Sequence, residues 1–145
     1  NNIVKLKFEK KNLQIVHGDL NHSNIIVSKK CARFIDLEDL IVDNFKISIS
    51  TGIFKILRHV VFKNKNKLYY VNNYCINLCN NLIKKNIFNS RNEIFDHSAL
   101  MILSDISLII NSVLRGEKKY LYDLEKKFLN LIELRYIFKL HELKS

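Results

Sequence analysis

The apolar positions change their period near residue 44. Before it they come in short runs: Leu13, Ile15 and Val16 lead up to Gly18, followed by Ile25-Ile26-Val27 and then Arg33-Phe34-Ile35. The polar Ser28-Lys29-Lys30 between the last two reads as a turn, so the spacing predicts a β-hairpin. After residue 44, Phe45, Ile49, Ile53, Ile56, Leu57, Val60 and Val61 recur three and four apart, the spacing of one helix face. Val71, Tyr74, Cys75, Leu78, Leu82 and Ile83 repeat that pattern more cleanly. Ser90 followed by Glu93 makes a capping box. Behind it, residues 94–114 are apolar over most of their circumference, which predicts a buried central helix ended by Gly116. Residues 120–140 predict an amphipathic last helix through Leu121, Leu124, Phe128 and Leu131. The aromatic residues on these faces read as core.

This order gives an α+β chain, mostly helical, in one domain of 145 residues. Residues 1–44 form the strand and loop region and residues 45–145 the helical part. Composition supports that division. Proline is absent and glycine occurs three times, where ordinary usage is about 5% and about 7%, so long helices meet few breakers. A hydrophobic share of 48% excludes a disordered chain. No apolar run reaches the ~18 residues of a membrane span; the longest, residues 100–114, is interrupted by Ser104 and Asp105. No secretory h-region opens the chain, so a cytoplasmic setting without membrane contact is expected. The chain begins Asn1-Asn2 without Met, and the native sequence is expected to continue upstream.

Cys75 and Cys79 lie four apart on one predicted helix face, but no further ligands stand at zinc spacing, so they and Cys31 read as thiols of a reducing compartment. The formal charge of +10 raises nucleic acid as a partner. The Lys and Arg residues are dispersed, however, and the densest cluster, Lys63-Asn64-Lys65-Asn66-Lys67, reads as a solvated loop. A nucleic-acid partner is therefore not expected; a basic face also suits nucleotide phosphates or an acidic partner domain.

The chemistry concentrates in the strand region. Asp19 follows the first run, in His17-Gly18-Asp19-Leu20; Asn24 opens the next strand; Asp36 ends the hairpin in Ile35-Asp36-Leu37-Glu38-Asp39. The hairpin returns Asp36 to the end where Asn24 begins, with Asp19 on the loop leading in. Singly, Asp19 reads as a turn cap, Asn24 as a strand start and Asp36 as a surface acid. Together they place two carboxylates and a carboxamide oxygen on one cleft. An oxygen-only donor set suits Mg²⁺, which also bridges to phosphates. A carboxylate kept off the metal can accept a proton from an attacking hydroxyl, and these are the parts of phosphoryl transfer.

The pattern His-x-Asp-Leu-x-x-x-Asn, followed by a β-branched run, a turn and an Ile-Asp corner, resembles the catalytic and metal loops of protein-kinase-like enzymes. With Gly18 in "HGDL" and with "IDLED" at the metal loop, it is most similar to the aminoglycoside phosphotransferase and choline kinase group of small-molecule kinases. The match covers residues 16–39. The resemblance implies Asp19 as catalytic base, Asn24 and Asp36 as Mg²⁺ and nucleotide ligands, and ATP as phosphate donor. It makes His17 a loop-stabilising residue packed under the metal loop. Asn21, Glu38 and Asp39 become candidates for contact with a small hydroxyl substrate, Glu38 and Asp39 toward a cationic or amino-bearing one, although one of these two acids is sooner expected to hydrogen-bond nearby loop amides. Asn21-His22-Ser23 depart from the His-Pro-Gly that many members carry, and His22 is expected to be an exposed loop residue.

No glycine precedes Gly18 and no G-x-G-x-x-G or Walker-type loop occurs. The chain is therefore expected to be the C-terminal lobe of a kinase, or a truncated product, whose N-terminal nucleotide-covering lobe acts as partner. Apolar surface is expected near Leu13, Ile15 and the metal loop. A catalytically idle module that retains the fold is the competing expectation, and a basic nucleic-acid-binding domain a more distant one.

Overall fold

A computed structural model describes residues 13–63 and 68–139. Residues 1–12, most of the 63–67 basic loop and Leu140 lie outside the described residues. Four strands and four α-helices follow one another: β1 (Leu13–His17), β2 (Ile25–Val27), β3 (Ala32–Phe34), β4 (Leu40–Asn44), α1 (Phe45–Lys63), α2 (Leu68–Lys84), α3 (Arg91–Leu114) and α4 (Leu121–Lys139). The architecture is α+β.

The predicted hairpin is β2–β3, with Ile25 opposite Phe34 and Val27 opposite Ala32. Its turn is held by Ser28, whose N–H donates to the Cys31 carbonyl at 2.8 Å and whose hydroxyl accepts from the Cys31 N–H at 3.1 Å. This hairpin is nested inside a second antiparallel pair, β1 with β4, running from Leu13 opposite Asn44 to His17 opposite Leu40. The sequence reading did not anticipate β4, although Leu40-Ile41-Val42 carries the branched residues a strand favours. Its pairing closes the loop between β1 and β4 and returns the chain to α1.

Asn44 makes the change from strand to helix. It is fully buried, its N–H donates to Asp43 Oδ1 at 2.7 Å, and its Oδ1 accepts from the Lys46 N–H at 3.0 Å, as an N-cap residue should. The inner face of α1 contributes Ile53, Phe54, Leu57 and Val61 to the core. Cys75 and Cys79 bring α2 onto the same core, with Phe88 after it; burial pushes the Cys75 thiol up to about 12, so both cysteines act as small apolar groups. Tyr74, expected on the buried face, is exposed. The helix ends through Asn86 at φ 56°, with Asn86 N–H bonded to the Ile83 carbonyl and Ile87 N–H to Leu82.

At the start of α3 the Ser90 hydroxyl accepts from the Glu93 N–H at 3.2 Å. The return arm of the expected box goes elsewhere: Glu93 Oε2 accepts from the Asn89 N–H at 2.6 Å, and Oε1 pairs with Lys46 at 2.5 Å. Burial raises the Glu93 carboxyl, yet these partners hold it below its usual value. The end of α3 is a Schellman motif on Gly116 at φ 93°, with Gly116 N–H to Val113 and Glu117 N–H to Ser112.

Between its ends, α3 departs from the buried central helix that was expected. Ile94, His97, Ser98, Leu100, Ile102 and Ile106 are buried, but Leu103, Leu108 and Leu114 are exposed. The bundle covers one face of the helix only. By length and composition alone, with a mean hydropathy of 1.5 over its most apolar window, α3 is the one helix among the described residues long and apolar enough to cross a membrane, although Ser104 and Asp105 interrupt its apolar run as expected. In the last helix the core residues are Leu134 and Ile137, with Leu124 and Leu131 packed against them, while Leu121 and Phe128 stand half-exposed.

Candidate functional site

Two loops carry the predicted residues, and close backbone approach brings them together. Gly18 follows β1 and donates its N–H to the Asp39 carbonyl at 2.8 Å. A Cβ on Gly18 would lie 2.6 Å from that same oxygen, so only glycine allows the two loops to touch here. The loop is also seated on α1. The Ser48 hydroxyl donates to the His17 carbonyl at 3.0 Å, and Leu20 fills the space above Gly52, where an added Cβ would come within 2.5 Å of Leu20 Cδ2.

Asn21 organises the turn that follows. Its Oδ1 accepts from the Ser23 N–H at 2.8 Å, from the Asn24 N–H at 3.3 Å and from the Ser23 hydroxyl, capping a short 3₁₀ turn over His22–Asn24. Its Nδ2 donates to Asp19 Oδ2 at 2.8 Å. Both ends of this carboxamide are thus engaged within the loop, and Asn21 also borders the cleft beside Lys55.

His17 joins the Asp19 loop to the Asp36 corner. Its Nδ1 accepts from the Asp19 N–H at 3.2 Å, and its Nε2 lies 2.9 Å from the Ile35 carbonyl. These partners require a proton on Nε2 and a lone pair on Nδ1. Ile35 is also held through its preceding peptide, its N–H donating to the Asn24 carbonyl at 3.0 Å. The residue before Asp36 is therefore clamped by His17 and Asn24 together. Asp36 itself adopts left-handed backbone at φ 62° and ψ 51°. Outside glycine that conformation is uncommon and costs energy, and such residues concentrate at functional sites.

Asn24 is buried, and its Nδ2 donates to the Asp19 carbonyl at 2.9 Å. That bond fixes the carboxamide and directs Oδ1 away from Asp19. Asp36 is exposed and its side chain caps nothing. The backbone bond from Ile35 to Asn24 sets Asp36 one residue from the Asn24 strand, and a carboxylate and a carboxamide oxygen are donor types that a magnesium ion accepts alongside water and phosphate oxygens. No group of three His, Cys, Asp or Glu side chains able to hold a metal occurs among the described residues, so the corner is no all-protein cage. Glu38 and Asp39 lie in the 3₁₀ turn Leu37–Asp39 and are exposed. Among the described residues neither makes the expected side-chain bond to a loop amide; Asp39 joins the loops through its backbone carbonyl instead.

The Asp19 carboxylate has a second side-chain partner that sequence reasoning missed. Lys55 of α1 pairs with Asp19 Oδ1 at 2.6 Å. The hydrogen bond from Lys55 holds the carboxyl below its usual range, aided by Lys55's charge and by Asn21, against a smaller opposing effect of burial. Beyond Lys55 opens a cleft of about 610 Å³ lined by Arg58, His59, Phe62, Lys63, Glu133, Asn21 and His22. His22 is exposed, as expected, and its ring stacks on His59 with centroids 3.8 Å apart. The signal for this cleft was present in sequence: positions 55, 58, 59, 62 and 63 make one helix face.

On the opposite side of the site, the expected apolar surface is prominent. Ile15 is 73% exposed, Val27 76% and Val42 72%. A second hollow of about 300 Å³ runs between β1, Phe34, Leu37, Leu40 and the first turns of α1. No family model, curated protein or solved structure matches the chain.

Proposed function

We propose that the chain is the C-terminal catalytic lobe of a small-molecule kinase, passing a phosphoryl group from ATP to a hydroxyl of a small substrate. The observation that carries this reading is the His17 bridge: one imidazole holds the Asp19 amide and the Ile35 carbonyl, setting the base loop against the corner that bears Asp36. Asn24 closes the same joint from the other side.

The roles follow from the surroundings of each group. Asp19 is kept ionised by Lys55 and aimed by Asn21, so it can orient a substrate hydroxyl and take up its proton. Asn24 and Asp36 would hold Mg²⁺, which when bound neutralises phosphate charge. His17, with its proton committed to Ile35, orients both loops and exchanges no proton with substrate. In this division Asp19 would serve the nucleophile, and Asn24 and Asp36 the phosphate through the metal.

The contacts that cover a nucleotide have no counterpart in these residues, because a glycine-rich phosphate loop is absent from the sequence. Nucleotide affinity of this chain alone is therefore expected to be weak and its turnover slight. Titration with Mn²⁺, followed by paramagnetic broadening of amide signals, tests the assignment directly. Broadening should centre on Asn24 and Asp36, vanish in Asp36→Ala and persist in Asp19→Ala. Broadening elsewhere, or unchanged in Asp36→Ala, refutes the metal assignment. In the presence of Mg-ATP, Asp19→Ala should keep the nucleotide shifts and abolish whatever turnover the parent chain has.

A further inference from the structure

We infer that the phosphate acceptor is an anionic hydroxy compound, whose phosphate or carboxylate is received by Arg58 and Lys63 while its hydroxyl reaches Asp19. The inference rests on the kinase reading and extends it to the substrate class. Neither aminoglycoside-like nor choline-like acceptors fit the cleft, because both are cations.

The geometry is that of a single helix face. Lys55, Arg58, His59, Phe62 and Lys63 all line the cleft that starts beside Asp19, and they recur three and four apart along α1. Its volume of about 610 Å³ suits a small metabolite. Two of the cations have partners. Lys55 pairs with Asp19 at 2.6 Å, and Arg58 meets Glu133 at 2.5 Å through Nε, leaving its terminal nitrogens free to grip an anion. Lys63 makes no ion pair among the described residues. Counting Glu133 and Asp19 against Lys55, Arg58 and Lys63, cations still lead three to two. Asp19 is hydrogen-bonded by Lys55; Glu133 Oε2 lies 2.5 Å from Arg58 Nε without a well-directed hydrogen bond, so its charge is offset by Arg58 through proximity alone.

The remaining lining fits the same ligand. An arginine fork and a nearby lysine are the usual receivers of carboxylate and phosphate. Phe62 supplies an apolar wall. His59 is held below its ordinary value by desolvation, then by the neighbouring His22 and Lys63, and its ring stacks on His22 at the cleft wall. The arrangement orders the substrate: its charge sits toward Lys63, its hydroxyl toward the loop that Asn21 shapes.

The test compares glycerol 3-phosphate, glycerate, glycerol and ethanolamine by amide shift titration of the chain at low salt. Both anions should shift residues 55–63 and bind at least about tenfold tighter than glycerol, the scale of one charge-assisted contact. Ethanolamine should bind no better than glycerol. The tighter of the two anions identifies phosphate or carboxylate as the preferred group, and either result supports the inference. Arg58→Gln with Lys63→Gln should lose about tenfold in anion affinity, while Lys29→Gln with Lys30→Gln, which removes equal charge from the hairpin turn, should lose none. Equal binding of anions and glycerol, preference for ethanolamine, or equal loss in both double variants overturns it. Failure of the two readings is separable. Mn²⁺ bound at Asp36 without anion binding sinks the acceptor class alone, whereas anion binding without Mn²⁺ broadening sinks the kinase reading and leaves the cleft as an anion site.

Discussion

The helical bundle and the strand region are held together by different forces. Ile94 and Leu134 are 0% exposed and Leu57 1%, inside a core shared by all four helices. In the strand region every residue of β3 is exposed, and β1, β2 and β4 turn large apolar side chains to the surface. What fixes that region is a set of hydrogen bonds and close backbone contacts centred on Gly18, His17, Asn21 and Asn24. The bundle owes its shape to apolar area removed from water; the site owes its shape to polar groups that find one another. The same change in size should therefore have very different costs in the two regions.

Leu134→Ala breaks the comparison open most directly. Removing a fully buried leucine from the contact of α4 with α1 and α3 should cost roughly 2–5 kcal/mol. Urea unfolding followed by circular dichroism measures it. Val27→Ala, at an exposed strand position, should stay within about 0.5 kcal/mol. Equal costs would mean that the strand region contributes to the same core, and the contrast would be lost.

The joint between the regions is Gly52, where α1 supports Leu20. An alanine there sets a Cβ 2.5 Å from Leu20 Cδ2 and 2.6 Å from Cγ, so the Asp19 loop must move or α1 must distort. Overpacking of this kind costs about 1–3 kcal/mol. The informative readout is where the change appears. Amide shifts should spread through residues 17–24 and leave the Leu134 end of the bundle unmoved. If they spread through the core instead, the loop is stiffer than the helix and the two regions are one mechanical unit.

How far the sequence revealed each region follows from the same difference. Helix faces repeat, so Ile53, Leu57, Val61, Cys75 and Cys79 could be placed in the core from spacing alone. Spacing failed where burial depends on partners distant in sequence. The outer face of α3 is as apolar as the inner one, and only the packing of α1 and α4 decides which is covered. The β4 strand was missed because its pairing with β1 spans the whole loop region. At the site, Asp19, Asn24 and Asp36 were legible as residue types in a pattern. Lys55 was not, since it joins Asp19 from 36 positions away. Gly18 was legible only as a letter of the motif. It is required by the approach of the Asp39 carbonyl, which no local turn rule specifies.

The Lys55–Asp19 pair gives the smallest expected effect and the finest probe of the site. Asp19 titrates below its ordinary value in the folded chain, chiefly through the Lys55 hydrogen bond. The pair therefore contributes stability above the ordinary carboxylate pKa, and that contribution is lost as the pH falls through the lowered folded value. The two side chains are 37% and 45% exposed, so with solvent screening the contribution stays under about 1 kcal/mol. The Asp19 carboxylate signal, followed from about pH 6 to about pH 2, measures the shift without relying on stability. Lys55→Met should move the Asp19 titration up toward the ordinary range and leave Asn21 bonded to the same carboxylate. An unchanged titration would mean that Asn21 and the loop amides alone hold the group ionised, and Lys55 would then belong to the cleft rather than to Asp19. A shift in Lys55→Met would tie the basic face of α1 to the charge of Asp19 and make the helix a working part of the loop site.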